Sequence, residues 1–342
     1  MLTNDSAEIT AVGIGSAGGK IVSLLSRQSL LVDRFVYVSC DKDDLSIAGT
    51  GEKIFIESPI DQKLTPAMVR GLALGSHSRI RDAVVGSKVV FVVAGLGGAT
   101  GSGLSPLGAA IARDAGDTTV GVAVMPFEFE NKLKFYAGIS LKRLRAASRG
   151  VIVIDNDTLM KSSPDDSTLT SLYDSANREA VNALGSLLSK SSETSVSVGL
   201  NKLLGTVLQD GYSLLGVSSS SSIDRAEEAL AGAVVSISKL AEAKEASRAV
   251  VMLRGDATIS GQEVGLAVRR LGSMINNQTV DVEYGMNYSG TAQLQVSLLA
   301  SGFTSTKYDE YDPLSRILAG RTIDDEMDSA LPLGLESLQP CD

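Results

Sequence analysis

The chain has 342 residues, 44% of them hydrophobic and 21% charged, with 31 Lys and Arg against 40 Asp and Glu for a net charge of −9. This is globular composition, long enough for more than one domain because single cores rarely grow past about 250–300 residues. An acidic balance excludes nucleic-acid binding by phosphate neutralisation, and no apolar run reaches the ~18 residues of a membrane span. The N-terminus, MLTNDSAEIT, lacks a basic region followed by an apolar stretch, which predicts a cytoplasmic protein. Cys40 and Cys341, the two cysteines, make no disulfide framework and stand in no metal-ligand spacing. With His77 the one histidine, a histidine-based zinc site or a Ser-His triad is excluded, and its setting, LGSHSR, reads as a solvated loop.

In chain order, EITAVGIGSAGG is a β-branched run ending in glycines, followed by the helical KIVSLLSRQSLLV. RFVYVSCDKDD reads as a strand entering an acidic turn, and PAMVRGLALGSHSRIRDAVVG as a glycine-broken helical stretch. KVVFVVAGLGGATGSG is a strand ending in glycines; helix PLGAAIARDAG, strand TTVGVAVMPFEFE, helix KFYAGISLKRLRAAS and strand GVIVIDND follow. Continuous apolar strands separated by helices imply a parallel sheet covered on both faces, with its ligand site at the carboxyl ends of the strands.

From residue 165 to about 191, apolar residues recur at helical spacing: Leu169, Leu172, Tyr173, Ala176, Ala180, Leu184, Leu187 and Leu188. Asp166 and Ser167 are its cap candidates, and a helix of that length can bridge two domains. The second half reads as a compact α+β domain with a mostly antiparallel sheet. Helix NKLLGTVLQDGYSLLG and helix SIDRAEEALAGAVVSISKL flank the serine run at residues 218–222, which reads as loop and helix cap rather than linker. Strands RAVVMLRGD, VDVEYGMNY and LQVSLLASGF enclose helix SGQEVGLAVRRLGSMI. The last 39 residues carry nine acids against three bases, a solvated acidic tail.

Two glycine loops follow strands and open helices: GIGSAGGK (residues 13–20) and GLGGATGSG (residues 95–103). Each puts free backbone N–H groups at a helix N-terminus, a setting that favours phosphates. The first loop alone also fits a dinucleotide site with Asp41 as its acid, or plain packing. Two loops at adjacent strand ends meet at one crevice.

GGATGSG closely resembles the GGGTG[ST]G signature of the tubulin/FtsZ superfamily, with Ala99 in place of the third glycine. Other segments resemble that family in the same order, over roughly residues 8–303. GIGSAGGK looks like its first glycine loop, and SCDKDDL stands where the family has an Asn-Thr-Asp loop, with Asp41 at that Asp. PFEFENKLK resembles Pro-Phe-x-Phe-Glu-Gly-x-x-Arg, and VIDND resembles Ile-Pro-Asn-Asp. The resemblance implies an α/β fold: a Rossmann-like parallel-sheet GTPase domain (1–164), a long central helix (165–195), a C-terminal α+β assembly domain (196–303) and a flexible acidic tail (304–342). It implies GTP or GDP with Mg²⁺ as cofactors, head-to-tail filaments and a role in cell division or cell organisation. The implied nucleotide-binding residues are Gly13, Gly15, Ser16, Ala17, Gly18, Gly19, Lys20, Asp41, Gly97, Gly98, Ala99, Thr100, Gly101, Ser102 and Gly103. Glu130 falls at the ribose position, Lys134 at the arginine position and Asn156 at a guanine-side position. Tyr173 falls at the stacking ring and Asn177 at the base-edge residue. Tyr173 and Asn177, four residues apart, share one helix face.

The sequence departs from the family in the loop after the long helix. Two acids there act on the nucleotide of the next subunit, because phosphoryl transfer is mostly positioning and charge handling around a water. Here the loop reads SVSVGLNKLLGTVLQD; one register puts Leu200 and Leu203 at the acidic positions, and the other puts Leu203 and Thr206 there. Glu193 and Asp210 are the nearest acids. Leucine neither orients a water nor holds Mg²⁺, so no catalytic residue is assigned and hydrolysis by homopolymers is predicted weak or absent. Between Phe55 and Ala83 the family's phosphate-covering glycine loop is missing. Thr65, Pro66 and Arg70 supply a substitute contact, or the stretch is a reshaped surface loop. Lys20 replaces an asparagine and either adds a favourable point charge or is solvated.

The implied partners are a second copy, a catalytically complete FtsZ relative in a mixed filament, and a membrane adaptor docking on the tail patch SALPLGLESL, for which a solubilising end is the alternative. Two other readings stand beside these: an NAD-dependent Rossmann-type oxidoreductase, which leaves GGATGSG unexplained, and a polymerising adaptor that needs no nucleotide.

Overall fold

The computed structural model describes residues 9–59, 63–160, 168–192 and 195–311. In the first half, β-branched runs alternate with helices as expected: β1 (Ile9–Ile14), α1 (Gly15–Leu25), β2 (Arg34–Ser39), α2 (Lys42–Ser46), β3 (Glu52–Phe55), α3 (Pro66–Leu72), α4 (His77–Val84), β4 (Val89–Gly95), α5 (Ala99–Asp114), β5 (Thr118–Met125), α6 (Asn131–Ala147), β6 (Gly150–Asp155) and α7 (Asn156–Leu159). The second half holds α8 (Leu169–Leu187), α9 (Leu200–Val207), β7 (Tyr212–Ser220), α10 (Arg225–Ser238), β8 (Arg248–Gly255), α11 (Gly261–Met274), β9 (Asp281–Tyr288) and β10 (Leu294–Phe303).

The strands form one sheet in the order β3-β2-β1-β4-β5-β6-β7-β10-β8-β9. From β3 to β7 every pairing is parallel, β10 runs antiparallel to both β7 and β8, and β9 is parallel to β8. The strand order reverses between β1 and β4, whose register pairs Gly13 with Val93 and Ile14 with Ala94. Ligands of open α/β sheets bind at such a reversal, outside the carboxyl ends of the strands.

Side chains alternate across the sheet and feed two cores. Val12 and Ile14 of β1 pack with α3, α4, α5 and α6, whereas Ile9 and Ala11 pack with α1 and α8. This burial, not local propensity, decides α1. The helix has no side-chain cap and contains Gly15, Gly18 and Gly19, each costing about 0.5–1 kcal/mol relative to alanine. Ile21, Val22 and Leu25 are at most 1% exposed, and burying each contributes about 1.5–3 kcal/mol, enough to outweigh the glycines.

Several elements differ from expectation. β3 was not foreseen, being a four-residue edge strand with too few positions to show a period. The helix read over NKLLGTVLQDGYSLLG ends at Val207, and Tyr212 onward is β7. Gly211, at φ +99°, turns the chain between them. The serine run is not a loop throughout: Ser218, Ser219 and Ser220 pair with β10, and α10 takes Asp224 as its N-cap residue. The central helix starts at Leu169 with Thr168 as its cap; the cap candidates Asp166 and Ser167 lie outside the described residues. His77 is exposed as expected, but it opens α4 instead of sitting in a loop.

The chain also stays packed beyond residue 304. Lys307–Tyr311 form a 3₁₀ turn against α6, with Tyr308 1% exposed; the rest of the expected tail and Cys341 lie outside the described residues. Ending the chain after Thr304 instead of after Tyr311 is therefore expected to cost about 3 kcal/mol, the order for losing a buried aromatic side chain, read from the denaturation midpoints of the two truncations.

Candidate functional site

At the strand reversal α1 and α5 begin side by side. Neither Ile14 nor Gly98, their N-cap residues, caps with a side chain, and neither first turn contains an acid. Both N-termini therefore present free N–H groups and the positive end of a helix dipole to the crevice. Gly15 (φ +66°) and Gly97 (φ +105°) make the turns that lead there, in a backbone region that side chains rarely adopt. The buried Ser102 hydroxyl accepts the Gly97 N–H at 2.7 Å and fixes the second loop.

Other glycines allow close approach. A Cβ on Gly18 would lie 2.1 Å from the Val93 carbonyl oxygen, and one on Gly101 2.0 Å from that of Gly95. Gly13 faces Gly18, and Gly103 faces Pro66 and Val69 of α3, so both serve packing.

A cleft of about 570 Å³ opens over these helix ends. Of the residues expected from the sequence, Gly15, Ser16, Ala17, Lys20, Asp41, Gly98, Ala99, Thr100 and Gly101 line its helix-end side. Glu130, Asn156, Tyr173 and Asn177 line the other side. Gly19 borders an adjoining cleft of about 290 Å³, which shares Lys20 and Asn177. Gly13, Gly18, Gly97, Ser102 and Gly103 shape the walls from behind. Lys134 is not at the cleft: its ammonium lies 5.5 Å from the centre of the Tyr311 ring. Asp44, Thr170 and Asp174 also line the cleft and were not foreseen. Asp174 stands four residues after Thr170 and three before Asn177 on α8, and that same-face spacing was the signal available for it.

The polar groups divide into committed and open ones. The Glu130 carboxylate accepts the Phe127 N–H at 2.9 Å and the Tyr173 hydroxyl. Burial and this carboxylate together push the Tyr173 phenol far above its ordinary range, so it stays a donor. The Tyr173 ring also leans on Phe127, with centroids 5.3 Å apart and planes at 60°. Asn156 and Asn177 are each 8% exposed and make no side-chain hydrogen bond among the described residues, so their amides are open to a ligand. Asp41 caps α2 by accepting the Asp43 N–H at 2.8 Å, and Asp44 accepts the Ser39 hydroxyl at 2.8 Å. Both acids line the cleft, and each keeps a second oxygen without a hydrogen bond among the described residues, a donor set that fits a magnesium ion held mainly by phosphates and water. Among the described residues no group of three or more His, Cys, Asp or Glu forms a metal site.

The segment expected to cover the phosphates is the helix α3. The Thr65 hydroxyl caps it by accepting the Met68 N–H at 3.3 Å, Pro66 is buried at its first position, and Arg70 lies in its last turn. None of the three lines the cleft.

At the loop after the central helix, Gly199 (φ +82°) starts α9. Leu203 and Thr206 are 1% and 2% exposed, and Leu200 is half-buried. Asn201 and Lys202 face outward, and the Lys202 ammonium pairs with Glu283 at 2.6 Å. Asp210 is exposed beyond the helix; Glu193 lies outside the described residues. Among the described residues no helix is long and apolar enough to cross a membrane.

Residues 8–164 match the model of the Tubulin/FtsZ family, GTPase domain. The chain is 28% identical to a cell division protein FtsZ of Haloferax mediterranei over 345 aligned positions, covering 97% of this chain and 80% of that protein. Its fold superposes on an empty FtsZ dimer of M. jannaschii with a TM-score of 0.76, at 25% identity and covering 88% and 90% of the two chains. A GTPγS-bound protofilament of CetZ2 from Haloferax volcanii shares the fold at a TM-score of 0.70, with 23% identity and 92% and 100% coverage.

Proposed function

From the match of residues 8–164 to the tubulin/FtsZ family GTPase domain, we propose a protein that binds GTP and joins head to tail with its own copies into filaments. These serve cell division or cell organisation in the cytoplasm. One observation carries the reading: two uncapped helix N-termini converge on a cleft whose far side offers a tyrosine and two free amides.

The N–H groups at the starts of α1 and α5 suit the phosphates. Lys20, which lines the cleft, adds a flexible positive charge. Glu130, held by Phe127 and Tyr173, presents its carboxylate toward a ribose, and Asn156 and Asn177 offer amides to a guanine edge beside the Tyr173 ring. Mg²⁺, bound by the phosphates with Asp41 and Asp44, would neutralise their charge. The working division keeps nucleotide binding in residues 1–164 and assembly in 196–303, linked by the central helix.

Chemistry is the weak step. Water attack on a phosphate needs a polar group to orient it, and the positions at which the family resemblance implies acids hold Leu200 and a Leu203 sealed in the core. Bound GTP should persist at subunit contacts and filaments should disassemble slowly. A catalytically complete relative in the same filament would add the acids while this chain supplies the pocket. The acidic tail is the docking segment for a membrane adaptor.

Phosphate release measured over a range of protein concentrations with Mg²⁺ is expected to stay near background even where light scattering reports assembly. Release that climbs with assembly and is unaffected by Leu200→Ala would overturn the hydrolysis claim. The GTPase-domain match leaves the dehydrogenase alternative without support. Nucleotide content of the purified protein, read by chromatography after denaturation, separates a GTP-binding filament from a nucleotide-free adaptor.

A further inference from the structure

Asn156 holds its place in the cleft without help from its own side chain. It opens α7, a four-residue helix too short to be stable alone, so its position depends on whatever fixes the start of that helix. The preceding residue does this. Asp155 ends β6, is 1% exposed, and caps α7 by accepting the Thr158 N–H on Oδ1 at 3.0 Å. In the segment VIDND, this aspartate stands where the Ile-Pro-Asn-Asp pattern has proline, which could neither cap nor take an ionic partner.

The other oxygen of that carboxylate is held from far along the chain. Oδ2 accepts the Tyr308 hydroxyl at 2.5 Å and the Lys307 ammonium at 2.6 Å. Both partners come from the 3₁₀ turn after β10. Tyr308 is itself 1% exposed, and Tyr311 packs edge-on against it at 5.4 Å between centroids. A carboxylate this deeply buried is tolerated only when paired and hydrogen-bonded. Here two of its three partners belong to the segment that leads directly into the acidic residues 312–342.

We propose that Asp155, Lys307 and Tyr308 form a positioning strap, in which the root of the C-terminal tail fixes α7 and thereby sets how tightly and how selectively Asn156 holds a guanine base. The strap acts through Asn156 and touches no nucleotide itself. The inference rests on the proposed GTP reading of the cleft. Its consequence is that a partner pulling on the tail loosens the base end of the cleft and speeds nucleotide loss.

The test is equilibrium binding of GTP and of ATP to the full-length chain and to Lys307→Met, Tyr308→Phe, the double variant and Lys307→Arg. The double variant is expected to lose about tenfold in GTP affinity, the order of one charge-assisted hydrogen bond, with a matching fall in the GTP-to-ATP affinity ratio. Lys307→Arg, which keeps the charge, should retain most of the ratio of the unmodified chain. A role in stability alone would lower the denaturation midpoint and leave the ratio as it was, and that result overturns the strap. If the double variant does not fold, Tyr308→Phe carries the test, since it keeps the buried ring and deletes one oxygen; about a threefold change is expected from one of three partners, and an unchanged ratio refutes the proposal. Failure of the unmodified chain to bind GTP removes the nucleotide reading itself, whereas GTP binding with equal ratios in all variants removes only the strap.

Discussion

Leu203→Asp is expected to cost at least about 4 kcal/mol of stability, the range reached when an unpaired charge is forced into a core, and not to restore hydrolysis. Leu203 is 1% exposed among the apolar side chains under α9. The substitution loses the burial of a leucine and places a carboxylate among buried apolar side chains. With total stabilities of about 5–15 kcal/mol for folded domains, that loss shows directly as a lower midpoint in urea unfolding. Leu200→Asp is the informative contrast. Leu200 is half-buried at the first position of α9, where an acid gains about 0.3–1 kcal/mol from the helix dipole. That variant should fold, with phosphate release still near background because the second acid is missing. A well-folded Leu203→Asp with native stability would show that α9 sits differently from the position described.

Gly101→Ala is expected to abolish nucleotide binding. Its Cβ would lie 2.0 Å from the Gly95 carbonyl oxygen, which is backbone and cannot swing aside. α5 must move off β4, and the contact in which Ser102 holds Gly97 goes with it. Overpacking of this kind costs about 1–3 kcal/mol or more, and a shift of the helix end displaces every N–H group aimed at the phosphates. Gly98→Ala is the control for stability: a Cβ there meets nothing within 4 Å, and φ is −73°. Its midpoint should stay level or rise by about 0.4–1 kcal/mol through a stiffer unfolded chain. Equal losses of stability in both variants would contradict the packing described.

Gly101, like Gly18, shows why so much of the cleft was legible in the sequence. Where backbone must touch backbone one residue type fits, so the loops at Gly15 and Gly97–Gly101 declared themselves. Apolar runs such as VVFVV likewise declared buried parallel strands. What escaped depended on distant partners. Tyr212–Gly216 continues the apolar texture of α9, and nothing local says that β6 and β10 claim it as strand. Ser218 to Ser220 look like a loop until β10 lies beside them. Lys134 sat at the right spacing for the cleft, yet the ring of Tyr311 holds it elsewhere. The contact between Asp155 and Tyr308 spans 153 residues, beyond any periodicity argument.

The place of β10 in the sheet has a consequence for how the protein is made. β10 is the last strand among the described residues, yet it lies between β7 and β8. As the chain leaves the ribosome, the parallel strands β1 to β6 can assemble with their helices, since domains form from the N-terminus during synthesis. β7 can join β6, but β8 and β9 have no seat until residues 294–303 emerge. Through that interval the apolar edges of β7 and β8 are exposed to pairing with other chains. Once β10 is in place, Tyr308 follows within a few residues and closes onto a first half that is already folded.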